Sequence, residues 1–233
     1  MVDIHTHIIH RVDDGSKNIE NSLAMLEMAK SAGTTDIICT PHYRKGYFET
    51  EKQEIESCFI ELTDRAKDIG VNLYLGQEVA TNRVVNEIVK GGSVFTLNKS
   101  RYVLLEFDYN NFVDIGNICF ELKVCGYVPI IAHIERYTYV DASDVEEFID
   151  SGALIQINAS SVVDGIFAKY RKKVDKYLKL NLVHFVASDI HSGRKYLLDK
   201  AYLAIKKKFG KERADKLFIE NGKRVINNEI IEK

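Results

Sequence analysis

The chain begins MVDIHTHIIHRVDDG, and those fifteen residues set His5, His7 and His10 among Asp3, Asp13 and Asp14 in a protein with only seven histidines. Imidazole and carboxylate together are the donor set of borderline divalent metals such as Zn, Mn or Fe rather than of Ca. Residues at i and i+2 of a strand point to one face, so His5 and His7 converge if VDIHTH is a strand, as do Asp189 and His191 in ASDIH. Other apolar runs end on similar groups: Thr40-Pro41-His42, Gln77-Glu78, Glu106 and His133-x-x-Arg136. Each has an ordinary explanation when taken singly, such as a turn histidine, a helix cap or a surface ion pair. Together these explanations fail, because five of the seven histidines fall at such ends, where unpaired carboxylates are costly to bury. About nine such groups are enough for two or three ions bridged by a shared carboxylate. His184, inside the apolar run LVHFVAS, reads as a satisfied core histidine, whereas His10 fits either the cavity border or the solvent.

The groups can meet only if the elements between them deliver them to one place. VDIHTH, DIICTPH, NLYLGQEV, RYVLLEF, YVPIIAHIER, ALIQINAS and LVHFVASDIH read as seven strands with nearly continuous apolar faces, as parallel strands buried on both sides require. Between them run amphipathic segments. NIENSLAMLEMAKSAG carries a stripe at Ile19, Leu23 and Leu26 with Gly33 as its stop, and EKQEIESCFIELTDRAKDIG closes at Gly70. RVVNEIVKGG, the stretch from Asp114 to Gly126, segments centred near Glu147 and Tyr170, and a tail from Lys195 read as further helices. Regular βα alternation without a linker or repeat predicts one domain over residues 1–233, built as an α/β barrel or a doubly wound sheet. In a barrel every strand C-terminus opens onto one mouth, where active sites lie.

Composition narrows the function classes. Apolar residues make up 45% and charged residues 28%, with 32 Lys plus Arg against 34 Asp plus Glu, so no global field favours nucleic acid or an anionic membrane. KYRKKVDKYLK around Arg171 is the best candidate for a local basic patch, and a solvated helix face is the better reading of it. The four cysteines form no C-x-x-C pair. The positions six after them are Lys45, Asp64, Cys125 and Ile131, so a cysteine-dependent tyrosine phosphatase, which needs an arginine there, is excluded. No secretory signal and no membrane-spanning apolar run are visible, and a reduced, cytoplasmic protein without membrane insertion is expected.

His5-x-His7, VDDG, TPH, GQE, LLEF, AHIER and ASDIH occur here in one order. This series resembles the PHP (polymerase and histidinol phosphatase) superfamily, specifically its bacterial protein-tyrosine-phosphatase branch, whose members are manganese-dependent and encoded with capsule or exopolysaccharide genes. The resemblance runs from Asp3 to about Asn227. It implies a distorted TIM-like (β/α)7 barrel with a trinuclear site of two or three divalent ions, Mn first, with Fe, Zn or Co as alternatives. His5, His7, Glu78 and Asp189 would hold one ion. Glu78 would bridge to a second completed by Glu106 and His133, and Asp14, His42 and His191 would hold the third. Arg136 would bind substrate phosphate with Arg194 assisting, although HSGR runs directly into a helix-like segment and so predicts a short rim loop. The implied partner is a phosphorylated bacterial tyrosine kinase with a tyrosine-rich tail.

The chemistry agrees with the resemblance. A divalent ion lowers the pKa of water toward neutrality for in-line attack on phosphorus, and an arginine fork grips the phosphoryl oxygens. The competing readings are a small-molecule phosphatase acting on histidinol phosphate, a nuclease relative, and a metal-stabilised binding subunit without turnover. The last has no need of a phosphate clamp. YRKGYFETEKQ after His42, with Arg44, Lys45, Tyr47 and Phe48, suits either the mouth of an aryl-phosphate site or an ordinary loop.

Overall fold

The computed structural model describes residues 1–80, 89, 91–163, 165 and 169–232. Its first part runs β1 (Val2–Thr6), α1 (Ile19–Ser31), β2 (Asp36–Cys39), β3 (His42–Tyr43), α2 (Lys52–Arg65), β4 (Asn72–Leu75), β5 (Glu78–Ala80) and β6 (Tyr102–Glu106). It continues with α3 (Ile115–Val124), β7 (Val128–Ile131), α4 (Ala142–Asp150), β8 (Leu154–Asn158), α5 (Ala159–Val163), α6 (Arg171–Lys179) and β9 (Phe185–Ala187). Helices α7 (Leu198–Phe209), α8 (Lys211–Asp215) and α9 (Asn221–Ile226) close the chain, the last two joined by a π-helical turn.

Among the described residues every strand pair is parallel, in two sheets ordered β1-β2-β4 and β3-β5-β6-β7-β8-β9. DIICTPH and NLYLGQEV are each broken into two segments, at Thr40-Pro41 and Gly76-Gln77. Pro41 has no N–H to donate to a ladder. The pairing nevertheless carries across both breaks, with Gly76 N–H donating to Cys39 O at 2.9 Å and Glu78 N–H to Pro41 O at 3.1 Å. After β9 the chain returns to β1: Asp189 N–H donates to His5 O at 3.0 Å and His7 N–H to Ile190 O at 3.1 Å. The strands therefore curl until the last meets the first.

The curl encloses an apolar layer of Val2, Ile4, Ile38, Tyr102, Leu104, Ile130, Leu154 and Phe185, closed from below by Val225 and Ile231. At Gly222 in α9 a Cβ would come within 2.7 Å of Val2, so only glycine lets this helix approach β1 so closely. A second, larger core lies between strands and helices. Side-chain caps start three of the helices: Asn18 accepts from Asn21 N–H at α1, Asp114 from Asn117 N–H at α3, and Asp141 and Asp144 form a reciprocal box at α4.

Two helical expectations need adjusting, and a third is not tested. α2 stops at Arg65, short of Gly70. The helix expected to be centred near Tyr170 begins there, with Tyr170 as its N-cap. RVVNEIVKGG lies almost wholly outside the described residues. Among the described residues, no helix is long and apolar enough to cross a membrane.

Candidate active site

β1 delivers the first histidines through an irregularity. Its register against β2 slips between Asp3 and Thr6, so one extra residue is accommodated and the alternation of faces is reset. Ile4 thus joins the inner apolar layer, while His5 and His7 both turn to the space above it, their Nε2 atoms 3.2 Å apart. The following turn packs directly on them. A Cβ at Gly15 would lie 2.2 Å from His7 O, which leaves glycine as the residue that fits in VDDG.

Glu78 stands at the centre, fully buried at the start of β5. Its Oε2 lies 3.2 Å from His5 Nε2, 3.3 Å from His7 Nε2 and 3.0 Å from His42 Nδ1, yet accepts no well-formed hydrogen bond. Its Oε1 is 2.9 Å from His133 Nε2, and Glu106 Oε1 is 3.5 Å from the same nitrogen. Asp189 Oδ1 is 3.6 Å from both His5 Nε2 and His7 Nε2. At the rim, the half-exposed Asp14 is 3.4 Å from His191 Nε2 and 3.6 Å from His42 Nε2, while the His7 and His191 rings stack at 4.1 Å.

All nine candidate ligands are thereby gathered, in four overlapping groups whose donor atoms lie within 4.8 Å of one another: His7, Asp14, His42, His191; His5, His7, Asp189; His5, Glu78, His133; and His42, Glu78, Glu106. His5, His7 and His42 each belong to two groups, more sharing than the sequence implies. Imidazole nitrogens and carboxylate oxygens converging on one another, with the buried Glu78 Oε2 left without a hydrogen bond, are the donor arrangement that divalent cations complete, so the residues fit such ions.

Behind these groups sits a supporting layer that strand-end reasoning missed. Asp13 accepts from His7 Nδ1 at 2.7 Å and from the N–H of His42 at 3.0 Å. Gln156 Oε1 takes His5 Nδ1–H at 3.1 Å and His133 N–H at 2.9 Å, and Gln156 Nε2 donates to Asn158 Oδ1 at 2.8 Å. Asn158 Nδ2 in turn donates to Asp189 Oδ2 at 2.8 Å. Protons fixed on Nδ1 of His5 and His7 leave Nε2 of each free toward the centre. The signal was present in ALIQINAS: two amides at i and i+2 in an otherwise apolar strand.

The electrostatics follow from burial opposed by proximity. Burial works against charge on His5, but Glu78 and Asp189 outweigh it and raise its pKa. Burial likewise opposes charge on His7 and His42, and Asp13 and Glu78 respectively overcome it, His7 being raised furthest. Burial pushes Glu78 and Asp189 up, yet the histidines, with Arg136 at Asp189, hold both well below the usual carboxylate range. His191 goes the other way: burial and then His7 lower it to about 4.

His133 and Asp189 both have left-handed backbones, with φ of 33° and 51°. Such conformations are costly for non-glycine residues and collect at functional sites. After His133 the chain makes one 3₁₀ turn through Arg136, whose Nη2 donates to Asp189 Oδ2 at 2.6 Å and whose Nη1 donates to Tyr109 Oη at 3.4 Å. Arg194, half exposed, donates to Asp189 O at 3.5 Å. Phe48 stacks on His42 at 5.3 Å, which brings the loop after His42 to this side of the site. His184 accepts from Ile155 N–H at 3.1 Å as a core histidine, and His10 is buried, 3.3 Å from Glu61 rather than among the donors.

Comparisons with known proteins converge. The family model described as capsular polysaccharide synthesis, CpsB/CapC, matches residues 1–227. The tyrosine-protein phosphatase CpsB of Streptococcus pneumoniae is 36% identical over 243 residues, covering 99% of this chain and 100% of its own. A solved structure from work on YwqE of Bacillus subtilis and CpsB of Streptococcus pneumoniae, described there as metal-dependent tyrosine phosphatases, superposes with a TM-score of 0.93 at 30% identity and covers 100% of this chain and 96% of its own. A histidinol phosphate phosphatase from Lactococcus lactis shares the fold at a TM-score of 0.56 and 13% identity, covering 94% of this chain and 96% of its own.

Proposed function

The chain belongs to the CpsB/CapC family of capsular polysaccharide synthesis, and from that premise we propose that it is a metal-dependent phosphotyrosine-protein phosphatase. The observation that carries this reading is the buried Glu78 oxygen within 3.3 Å of three imidazole nitrogens and without a hydrogen bond. His5, His7, Glu78 and Asp189 are assigned to one ion, Glu78, Glu106 and His133 to a second, and Asp14, His42 and His191 to a third, with manganese as the working metal. In this reading β2 with β3, and β4 with β5, count as single interrupted strands of a distorted (β/α)7 PHP-type barrel forming one domain. The domain acts in the cytoplasm on a phosphorylated tyrosine kinase of capsule or exopolysaccharide synthesis.

Ions bound there supply the positive charge that lowers the pKa of a nucleophilic water and offsets charge on the phosphoryl oxygens. The chain supplies the remainder. Asp13, Gln156 and Asn158 fix the ligands, so little reorganisation accompanies the reaction. Arg136, kept charged by Asp189, grips phosphoryl oxygens through its free donors. A tyrosyl phenolate, with a conjugate acid of pKa about 10, leaves without a strong general acid. Arg194 at the open rim takes the outer side of the phosphate.

The test is a comparison of phosphotyrosine and phosphoserine peptides of matched sequence, a phosphorylated kinase tail, and histidinol phosphate, each with manganese. Preference for phosphotyrosine and the tail is expected. Equal rates on the two peptides, or rapid histidinol phosphate hydrolysis with the tail left phosphorylated, would instead assign a small-molecule phosphatase.

A further inference from the structure

Glu106 and Arg136 reach the site from different elements, the end of β6 and the turn after β7, and one side chain touches both. Tyr109 Oη donates to Glu106 Oε1 and accepts from Arg136 Nη1 at 3.4 Å. The segment carrying it is held from both ends. Asp108 caps Asn110 and Asn111 N–H at 2.8 and 2.7 Å, and Tyr109 O accepts from Thr138 N–H at 2.8 Å. The ring is braced edge-on to His133 at 5.6 Å and against Tyr137 at 5.8 Å. The hydroxyl is thus aimed by backbone and ring contacts that do not depend on it. Glu106 has little else to fix it, since its nearest nitrogens are those of His133 at 3.5 Å and His42 at 4.0 Å.

We propose that Tyr109 is a positioning residue that couples metal binding to phosphate binding: its O–H fixes Glu106 through Oε1, the oxygen that faces His133, while its own oxygen holds one arm of Arg136. The inference rests on the reading of this site as a metal-dependent phosphatase centre. A carboxylate ligand held by a neighbouring donor is pre-aimed, and loss of such a partner typically weakens metal affinity by about 10- to 100-fold. The same hydroxyl restricts the Arg136 guanidinium, so phosphate meets a fork already oriented.

The experiment uses the full chain and Tyr109→Phe, which keeps the ring against His133 and Tyr137 and deletes only the hydroxyl. Manganese is titrated calorimetrically into metal-free protein, and inorganic phosphate into protein saturated with manganese. Tyr109→Phe is expected to weaken one class of manganese site by about tenfold or more and phosphate binding by a similar factor. The phosphate effect should vanish in an Arg136→Ala background, because both changes act through one contact. A merely structural ring would be rescued fully by phenylalanine, so unchanged affinities in Tyr109→Phe overturn the proposal. Loss of only one of the two affinities overturns the coupling. Failure of the unsubstituted protein to bind manganese would refute the metal reading itself, a distinguishable result.

Discussion

Along β6, Tyr102 and Leu104 belong to the inner apolar layer, while Glu106, two residues further on, reaches His133. Along β9, Phe185 and Ala187 lie in that layer below Asp189, and on β8 Leu154 lies below Gln156 and Asn158. The same strands therefore build two opposed regions a few residues apart. The base is held by close packing of apolar side chains sealed by the C-terminal segment. The mouth concentrates buried carboxylates, histidines and two left-handed backbones, groups that are costly to desolvate or to strain. The comparison teaches that the base supplies the rigidity that keeps charged groups assembled out of water, and the mouth accepts their desolvation for the sake of function.

Substitutions should separate the two regions. Glu78→Gln removes the charge every inner histidine faces. It should cost about a thousandfold or more in kcat/KM, ~4 kcal/mol in the barrier, with bound metal lost and far-ultraviolet circular dichroism unchanged. Leu104→Ala at the base should do the reverse, destabilising by about 3 kcal/mol in urea unfolding while leaving turnover per folded molecule intact. Arg136→Ala should lower kcat/KM by about a hundredfold, ~2.7 kcal/mol, by analogy with loss of one oxyanion donor. Its metal content by elemental analysis should match the parent, whereas His133→Ala should lose an ion. Metal loss in Arg136→Ala, or unfolding in Glu78→Gln, would break the separation.

The pH response is the subtlest expected difference. His5, His7 and His42 have pKa values raised above 6.5 in the metal-free protein, so their contribution to stability is present below that value and is lost as pH rises through the raised values. Asp13, Glu78 and Asp189 are lowered, so their contribution is lost as pH falls through the lowered values. Metal-free protein should therefore melt at lower temperature on either side of an intermediate optimum. Manganese must displace the histidine protons, so its affinity should rise with pH across neutrality and its binding should release protons, measurable by calorimetry in buffers of different ionisation enthalpy. Affinity independent of pH would contradict the description of the mouth.

The contrast between regions also explains what the sequence revealed. Nearly continuous apolar runs ending on His, Glu and Asp were legible because strands buried on both faces leave no other pattern, and the i, i+2 rule placed His5 with His7. The slip in β1 that turns both Ile4 and His5 inward was not legible, since a bulge is settled by pairing with β2. The left-handed backbones of His133 and Asp189 were hidden too, because tertiary contacts impose them against local preference. Gln156 and Asn158 were marked only as two amides at i and i+2 in an otherwise apolar strand, their partners being set by the fold, and nothing in its residue type marks Tyr109. Helix ends such as that at Arg65 drift because packing decides them more than local stop signals do.

The central claim is that the buried donors around Glu78 hold the ions on which phosphotyrosine hydrolysis depends. The most direct measurement takes one preparation through elemental analysis and phosphotyrosine-peptide turnover as purified, after exhaustive chelation, and after manganese is restored. Two or three divalent ions per chain are predicted at the start, with turnover abolished when they are removed and recovered when they return. Full turnover in a sample shown by elemental analysis to be free of metal would contradict the account.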